Sequence, residues 1–204
     1  MESKEKNTKE KILEEALKLF AQSGYMGTSM NDIASKLGVT KAALYKHYKS
    51  KQEILDSIIE KMNELDIERV KLYEMPEGDL EKVTAEYKET AFDKIKQFTK
   101  VQFLHWTEEE FSCCFRKMLT LEQYREPQMA QLYQNYLASG PLTYMEALFS
   151  GMLGDEGKAR QTALDFYGPI FLLYSIYDGA EDKSHVIKIL EEHMDHFLQE
   201  MKIS

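Results

Sequence analysis

Along the N-terminal third of the chain, apolar residues recur every three or four positions in blocks closed off by glycine or a hydroxyl-bearing residue. Ile12, Leu13, Ala16, Leu17 and Phe20 make one stripe of an amphipathic helix, predicted to start near Asn7, with Glu10 in capping-box spacing, and to end at Gly24. A second helix is predicted from Met30 to Leu37, with Ser29 as N-cap, Asp32 three residues on, and Met30, Ile33, Ala34 and Leu37 inward. Gly38 follows where a left-handed residue stops a helix, Val39 is expected as an apolar plug, and Thr40 caps a third helix whose Leu44 and Tyr48 face inward. Two short helices across a tight turn make a helix-turn-helix. The outward face then carries Thr40, Lys41, Ala42, Ala43, Tyr45, Lys46 and His47, a mixture that suits a DNA groove. Ahead of the second helix Thr28 is expected both as a further cap and as a hydroxyl donor to a phosphate, Ser29 is counted with the DNA-binding residues, and Lys51 at the start of the next helix is expected to clamp a phosphate.

Downstream, the pattern predicts longer helices with short connections. Ser50 and Glu53 form a capping box that opens a connecting helix from residue 51 to about residue 74, with Ile54, Leu55, Ile58, Ile59, Met62, Leu65 and Leu72 inward. Pro76 and Gly78 break the pattern, and Asp79 caps a helix expected to run from Leu80 to about Trp106. Thr107 and Glu110 read as a capping box before Phe111, Phe115, Met118 and Leu121. Pro127 opens a segment reaching about Leu153, with a kink or break at Gly140-Pro141. Ala163 to Tyr177 is apolar nearly all round, and the last helix, from about Asp182 to Met201, carries Val186, Ile187, Leu190, Met194, Phe197, Leu198 and Met201 at helical spacing. Strand patterns are absent, so the expected fold is all-α with about nine helices.

The N-terminal pattern closely resembles the TetR/AcrR family of bacterial transcriptional regulators. The resemblance rests on KEKILEEALKLFAQSGYMGTSMNDIA before the turn and GVTKAALYKHYKSKQEIL across and beyond it, about the first third of the chain. It implies an N-terminal three-helix DNA-binding domain over residues 1–52 and a C-terminal helical ligand-binding and dimerisation domain over residues 53–204. The connecting helix would serve as a lever between the two. Beyond that third, the chain matches the family in its length and helical character.

Charge at first opposes a DNA-binding reading, because the net charge is -9 and the pI about 5.2. Its distribution resolves the conflict. Residues 1–52 hold 10 Lys against 6 acids, a net +4, and the remainder carries -13. A basic head with Lys4, Lys6, Lys9, Lys41, Lys46, Lys49 and Lys51 on an acidic body orients the molecule towards phosphate. The start, Met1 to Lys6, reads as a charged arm without order in the absence of DNA. No leader or bilayer-length apolar run is evident, so the expected location is the cytoplasm. Adjacent Cys113 and Cys114 diverge by about 100° on a helix and read as reduced core residues.

Catalytic signatures are missing: there is no Gly-rich phosphate loop, Gly-x-Ser-x-Gly or Cys-x-x-Cys. His193 and His196 lie three apart without a distant third ligand, so neither metal nor cofactor is expected, nor enzymatic activity. Aromatic residues interleaved with a few polar groups suit a pocket for a small, largely apolar or aromatic effector. The candidates are Phe98, Gln102, His105, Trp106, Phe111, Tyr124, Tyr167, Phe171 and Tyr174. The last two helices need cover on opposite sides, which favours a homodimer with a four-helix interface, as the family resemblance also implies. Phe166, Ile170, Leu173, Tyr177, Leu190, Met194 and Phe197 are expected there. The favoured reading is a dimeric repressor released from a pseudo-palindromic operator by a ligand. A DNA-bound adaptor that recruits a protein is the alternative, and an enzyme retaining the motif as scaffold stands third.

Overall fold

A computed structural model describes the backbone of residues 2–203 and the side chains of residues 7–201. Among the described residues there are eleven helices and no strand: α1 (Glu2–Ser23), α2 (Met30–Lys36), α3 (Lys41–Tyr45), α4 (Lys51–Leu72), α5 (Leu80–Glu89), α6 (Phe92–Thr107), α7 (Glu110–Glu122), α8 (Pro127–Leu137), α9 (Ser139–Leu153), α10 (Glu156–Gly179) and α11 (Lys183–Ile203). They fall into two compact units. One comprises Met1–Arg69 and Glu110–Tyr133, the other Val70–Glu109 and Gln134–Ser204. The segment expected as a DNA-binding domain, residues 1–52, lies within the first unit, together with most of α4 and with α7.

In the first unit α1 packs lengthwise on α7, and α2 packs on both α1 and α3. Its core is the predicted stripe: Ile12, Leu13, Ala16, Leu17 and Phe20 meet Ile33, Leu44, Tyr48, Ile54, Leu55, Ile58 and Met62, all buried. The helix starts earlier than the capping pattern at Asn7 suggested, because Glu and Lys sustain a helix without a break. The side chains of the arm, Lys4 and Lys6 included, lie outside the described residues. Val39 is no plug. It is exposed, and its contribution is a backbone N–H donated to Ala34 O at 3.0 Å. Leu72, expected inward, is exposed at the end of α4.

In the second unit α10 packs on α9, α11 and α6, while α5 packs on α9. The long helix expected from Leu80 to Trp106 is two helices. The chain turns extended at Thr90, and the Thr90 hydroxyl donates to Glu86 O at 2.8 Å, so a side chain takes up a carbonyl at the end of α5. Asp79 does cap α5, accepting from Lys82 N at 3.0 Å. Thr107 is not a capping residue: it closes α6 with its hydroxyl donated back to Phe103 O at 2.7 Å, and α7 begins at Glu110. The expected break near Gly140-Pro141 falls at Ala138, between α8 and α9. Pro169 lies inside α10, which continues through it.

Candidate nucleic-acid interface

The helix-turn-helix is built from caps. Ser29 Oγ accepts from Asp32 N and donates to Asp32 Oδ2 at 2.6 Å, while Asp32 Oδ2 accepts from Ser29 N at 2.8 Å. This box fixes the start of α2, and the Ser29 hydroxyl followed by the backbone bond holds the Asp32 carboxyl below its usual range. Gly38, at φ +66°, takes the left-handed turn that leads to Thr40, whose hydroxyl accepts from Ala43 N at 3.2 Å and caps α3. With Leu44 and Tyr48 buried beneath it, α3 leaves Thr40, Lys41, Ala42, Tyr45 and Lys46 exposed, and Ala43 and His47 half-buried. The Lys41 ammonium lies 5.7 Å from the centre of the Tyr45 ring. One continuous face of this unit therefore offers two lysines, a phenol and small methyl groups.

Two of the expected phosphate contacts are engaged inside the protein. Thr28 is buried, and its hydroxyl donates to Gly24 O at 2.8 Å, so it holds the loop ahead of α2 and points away from the surface. Lys51 donates to Tyr25 O at 2.5 Å and Thr28 O at 2.8 Å, and its ammonium rests 4.2 Å from the centre of the Tyr25 ring. Burial lowers its pKa, against the pull of the Glu122 charge. Lys51 thus braces the loop between α1 and α2 to the first turn of α4.

The residues expected around an effector separate. Phe98, Gln102, His105, Trp106, Tyr167, Phe171 and Tyr174 belong to the second unit, Phe111 and Tyr124 to the first. Tyr124 is 90% exposed, and Phe111 lies under the Lys61 ammonium, 4.6 Å from its ring centre. In the second unit Tyr174 stacks on Phe103 at 5.3 Å, His105 Nδ1 pairs with Glu109 Oε2 at 2.8 Å, Trp106 meets Tyr136 edge-on at 6.4 Å, and the Tyr167 hydroxyl donates to Leu137 O at 2.8 Å. The Gln102 carbonyl oxygen is buried and accepts no hydrogen bond. A cavity of about 560 Å³ in the same unit is lined by other residues, among them Leu80, Val83, Ser139, Thr143 and Tyr144.

The expected interface residues are also placed differently. Phe166, Ile170, Leu173, Tyr177, Leu190, Met194 and Phe197 are all buried in the core of their own unit, where Phe166 and Phe197 pack at 5.1 Å. The apolar side chains that remain exposed on α10 are Leu164, Phe171, Leu172 and Ile176. They alternate with Gly168, Ser175 and Gly179 along one stripe, a spacing legible in the sequence but masked by the apolar run around it. His193 Nε2 sits 3.1 Å from Phe166 O, and His196 pairs with Glu200 at 3.5 Å. Among the described residues, no helix is long and apolar enough to cross a membrane.

A helix-turn-helix with an exposed face on its second helix, in a chain otherwise helical, is the architecture of the helix-turn-helix class of DNA-binding proteins. Comparison bears on that helix-turn-helix: residues 12–58 match the model of the bacterial regulatory proteins of the tetR family. Over 52 residues the chain is 42% identical to the biofilm operon icaADBC HTH-type negative transcriptional regulator IcaR of Staphylococcus epidermidis. That match covers 26% of this chain and 28% of that protein. The fold extends over nearly the whole length. A TetR/AcrR-family transcriptional regulator from Aquifex aeolicus covers 92% of this chain and 98% of its own, with TM-score 0.64 and 22% identity. The fatty acid degradation regulator FadR from Bacillus halodurans covers 91% and 93%, with TM-score 0.57 and 18% identity. The N-terminal segment matches the tetR-family model, and the chain as a whole shares the fold of these solved regulators.

Proposed function

We propose that the protein is a sequence-specific transcriptional regulator that binds a pseudo-palindromic site in double-stranded DNA as a homodimer, in the cytoplasm. The observation that carries this reading is the exposed face of α3, held by the Thr40 cap over a buried Leu44 and Tyr48. Lys41, Ala42 and Ala43 are the base-reading positions, with lysine suited to guanine and alanine methyls to thymine methyls. Tyr45, Lys46, His47 and Ser29 are the phosphate-facing positions, while Thr28 and Lys51 support them from within. Residues 1–52 form the DNA-binding domain, residues 51 to about 74 the connecting helix, and residues 53–204 the part that dimerises and takes the effector.

One reading head per chain reads too little DNA for tight specificity, so two heads must sit about one helical turn, roughly 34–36 Å, apart. The exposed stripe of Leu164, Phe171, Leu172 and Ile176 is the surface a second copy covers. Repression is the favoured sign, in keeping with the negative regulator matched at the N-terminus. Release comes from a small, largely apolar or aromatic ligand among Phe98, Trp106, Tyr167 and Tyr174, anchored by the unpartnered carbonyl of Gln102. The exposed stripe also favours a second reading, a DNA-bound adaptor, if a protein partner covers it in place of another copy.

Selection of bound DNA from a random pool tests the reading. A pseudo-palindrome is expected, and sequence-independent or purely asymmetric binding would overturn it. A compound that releases the operator must bind less tightly in the operator's presence, by the same factor, because linkage is reciprocal. Equal affinities with and without DNA would remove the ligand and leave the adaptor.

A further inference from the structure

Glu122, the last residue of α7, is 0% exposed, and neither carboxylate oxygen accepts a hydrogen bond. The cation paired with it is Arg125, at 3.8 Å and largely exposed. A carboxylate withdrawn from water without donors is costly, so it persists only where surrounding structure fixes it. The loop between α1 and α2 is what it meets. A Cβ at Gly24 would lie 2.0 Å from Glu122 Oε1, and Gly24 stands at φ +82°, where it ends α1. The next four residues are held from elsewhere in the same unit. Lys51 of α4 donates to the carbonyls of Tyr25 and Thr28, and the Glu122 charge acts on that ammonium. Directly after Thr28 comes Ser29, the N-cap that fixes α2 and, through the turn, α3.

We propose that Glu122 is a positioning residue for DNA recognition: its carboxylate, seated against Gly24 at one end of the 24–28 loop that Lys51 holds by two carbonyls, sets the loop from which the helix-turn-helix is presented. This rests on the DNA-binding reading above. It makes the end of α7 part of the recognition apparatus although its side chain lies away from the groove face. A bulkier residue at Gly24 and a neutral one at Glu122 would disturb the same joint from its two sides.

A simple charge argument and the positioning role give opposite signs. Removing one negative charge from the unit that carries the head strengthens binding to any DNA, because phosphate is repelled less. A positioning role instead weakens operator binding alone. In the full chain, Glu122→Gln keeps the shape and removes the charge; operator affinity should fall about tenfold while affinity for scrambled DNA of equal length stays level or rises, a loss within the range of coupled neighbours. Lys51→Met should cause a loss of the same kind, and the double variant should be no weaker than the worse single, the mark of two residues that act through one loop. Circular dichroism and melting curves establish that each variant is folded at the assay temperature. If Glu122→Gln does not fold, Lys51→Met carries the test, through the ratio of operator to scrambled affinity. An unchanged ratio in a folded variant, or strictly additive losses in the double variant, overturns the proposal. Failure of the wild-type chain to select any sequence overturns the DNA-binding reading beneath it.

Discussion

Leu172→Asp separates the surface of the folded chain from the surface of the dimer. Leu172 is 60% exposed on α10, so in the isolated chain the substitution removes little buried area and should change stability by no more than about 0.5 kcal/mol. In a symmetric dimer that buries the exposed 60% of Leu172, each subunit loses a contact of about 1–2 kcal/mol, doubled by the two-fold axis to roughly 2–4 kcal/mol. That sum weakens dimerisation by about thirtyfold to a thousandfold, before the cost of burying a carboxylate is added. Leu190→Ala is the contrasting variant. Leu190 is 0% exposed within its own unit, so its truncation should destabilise the fold by about 2–5 kcal/mol. Sedimentation velocity across a concentration series reads the first effect and thermal unfolding at a fixed monomer concentration the second. Leu172→Asp should give a folded monomer with weakened operator binding, and Leu190→Ala a chain that melts early. A Leu172→Asp protein that dimerises as the wild type does would refute the assignment of the stripe to a second copy.

Lys41→Ala should change the base preference of the selected site, as a base-reading position requires. An unchanged preference with the slope of log affinity against log salt reduced by about one unit would place its ammonium at phosphate instead. Ala43→Leu should alter the selected sequence more than it alters stability, since Ala43 is only half-buried, and selection from a random pool reads the difference. Gly24→Ala forces a Cβ onto a left-handed residue at φ +82° and to 2.0 Å from the buried Glu122 Oε1, so it should cost more than the ~1–2 kcal/mol of the backbone conformation alone, measured by denaturant unfolding. The Asp32 pKa is depressed from its ordinary 3.8, so the stability it contributes is present above that value and is lost as pH falls through the lower folded value. Asp32→Asn should flatten that acid limb of the melting temperature, and an unchanged limb would assign it to other carboxylates.

The head was legible because its signals are local. Ser29 with Asp32, Gly38, and Thr40 ahead of Leu44 each fix a cap or a turn within four residues, and each is found where the spacing put it. The misses share a different origin. Val39 was placed inward because an apolar residue in a turn suggests a plug, yet periodicity says nothing about a turn, and the core beneath is already filled by Leu44 and Tyr48. The interruption at Thr90 carries no proline or glycine, only a hydroxyl that takes the Glu86 carbonyl, a competition that composition does not announce. Lys51 looked like a phosphate ligand because it stands in the first turn of a helix; that Tyr25 O and Thr28 O lie within its reach is a tertiary fact.

The deeper limit shows on α10. A helix apolar on nearly every side carries two stripes, and periodicity fixes the angle between them without naming the partner of either. Spacing alone suits Phe166, Ile170, Leu173 and Tyr177 to a second copy, but α6, α9 and α11 already cover α10 and all four are buried. Leu164, Phe171, Leu172 and Ile176 lie on the stripe left over, with Gly168, Ser175 and Gly179 between them. The small residues distinguish the two. In the core stripe large side chains fill a space that other helices define, whereas glycine and serine on an exposed stripe leave backbone accessible to the close approach of another helix. A stripe that only had to face water would have no reason to be both apolar and shallow, so its composition favours contact with a second surface even though it names no partner.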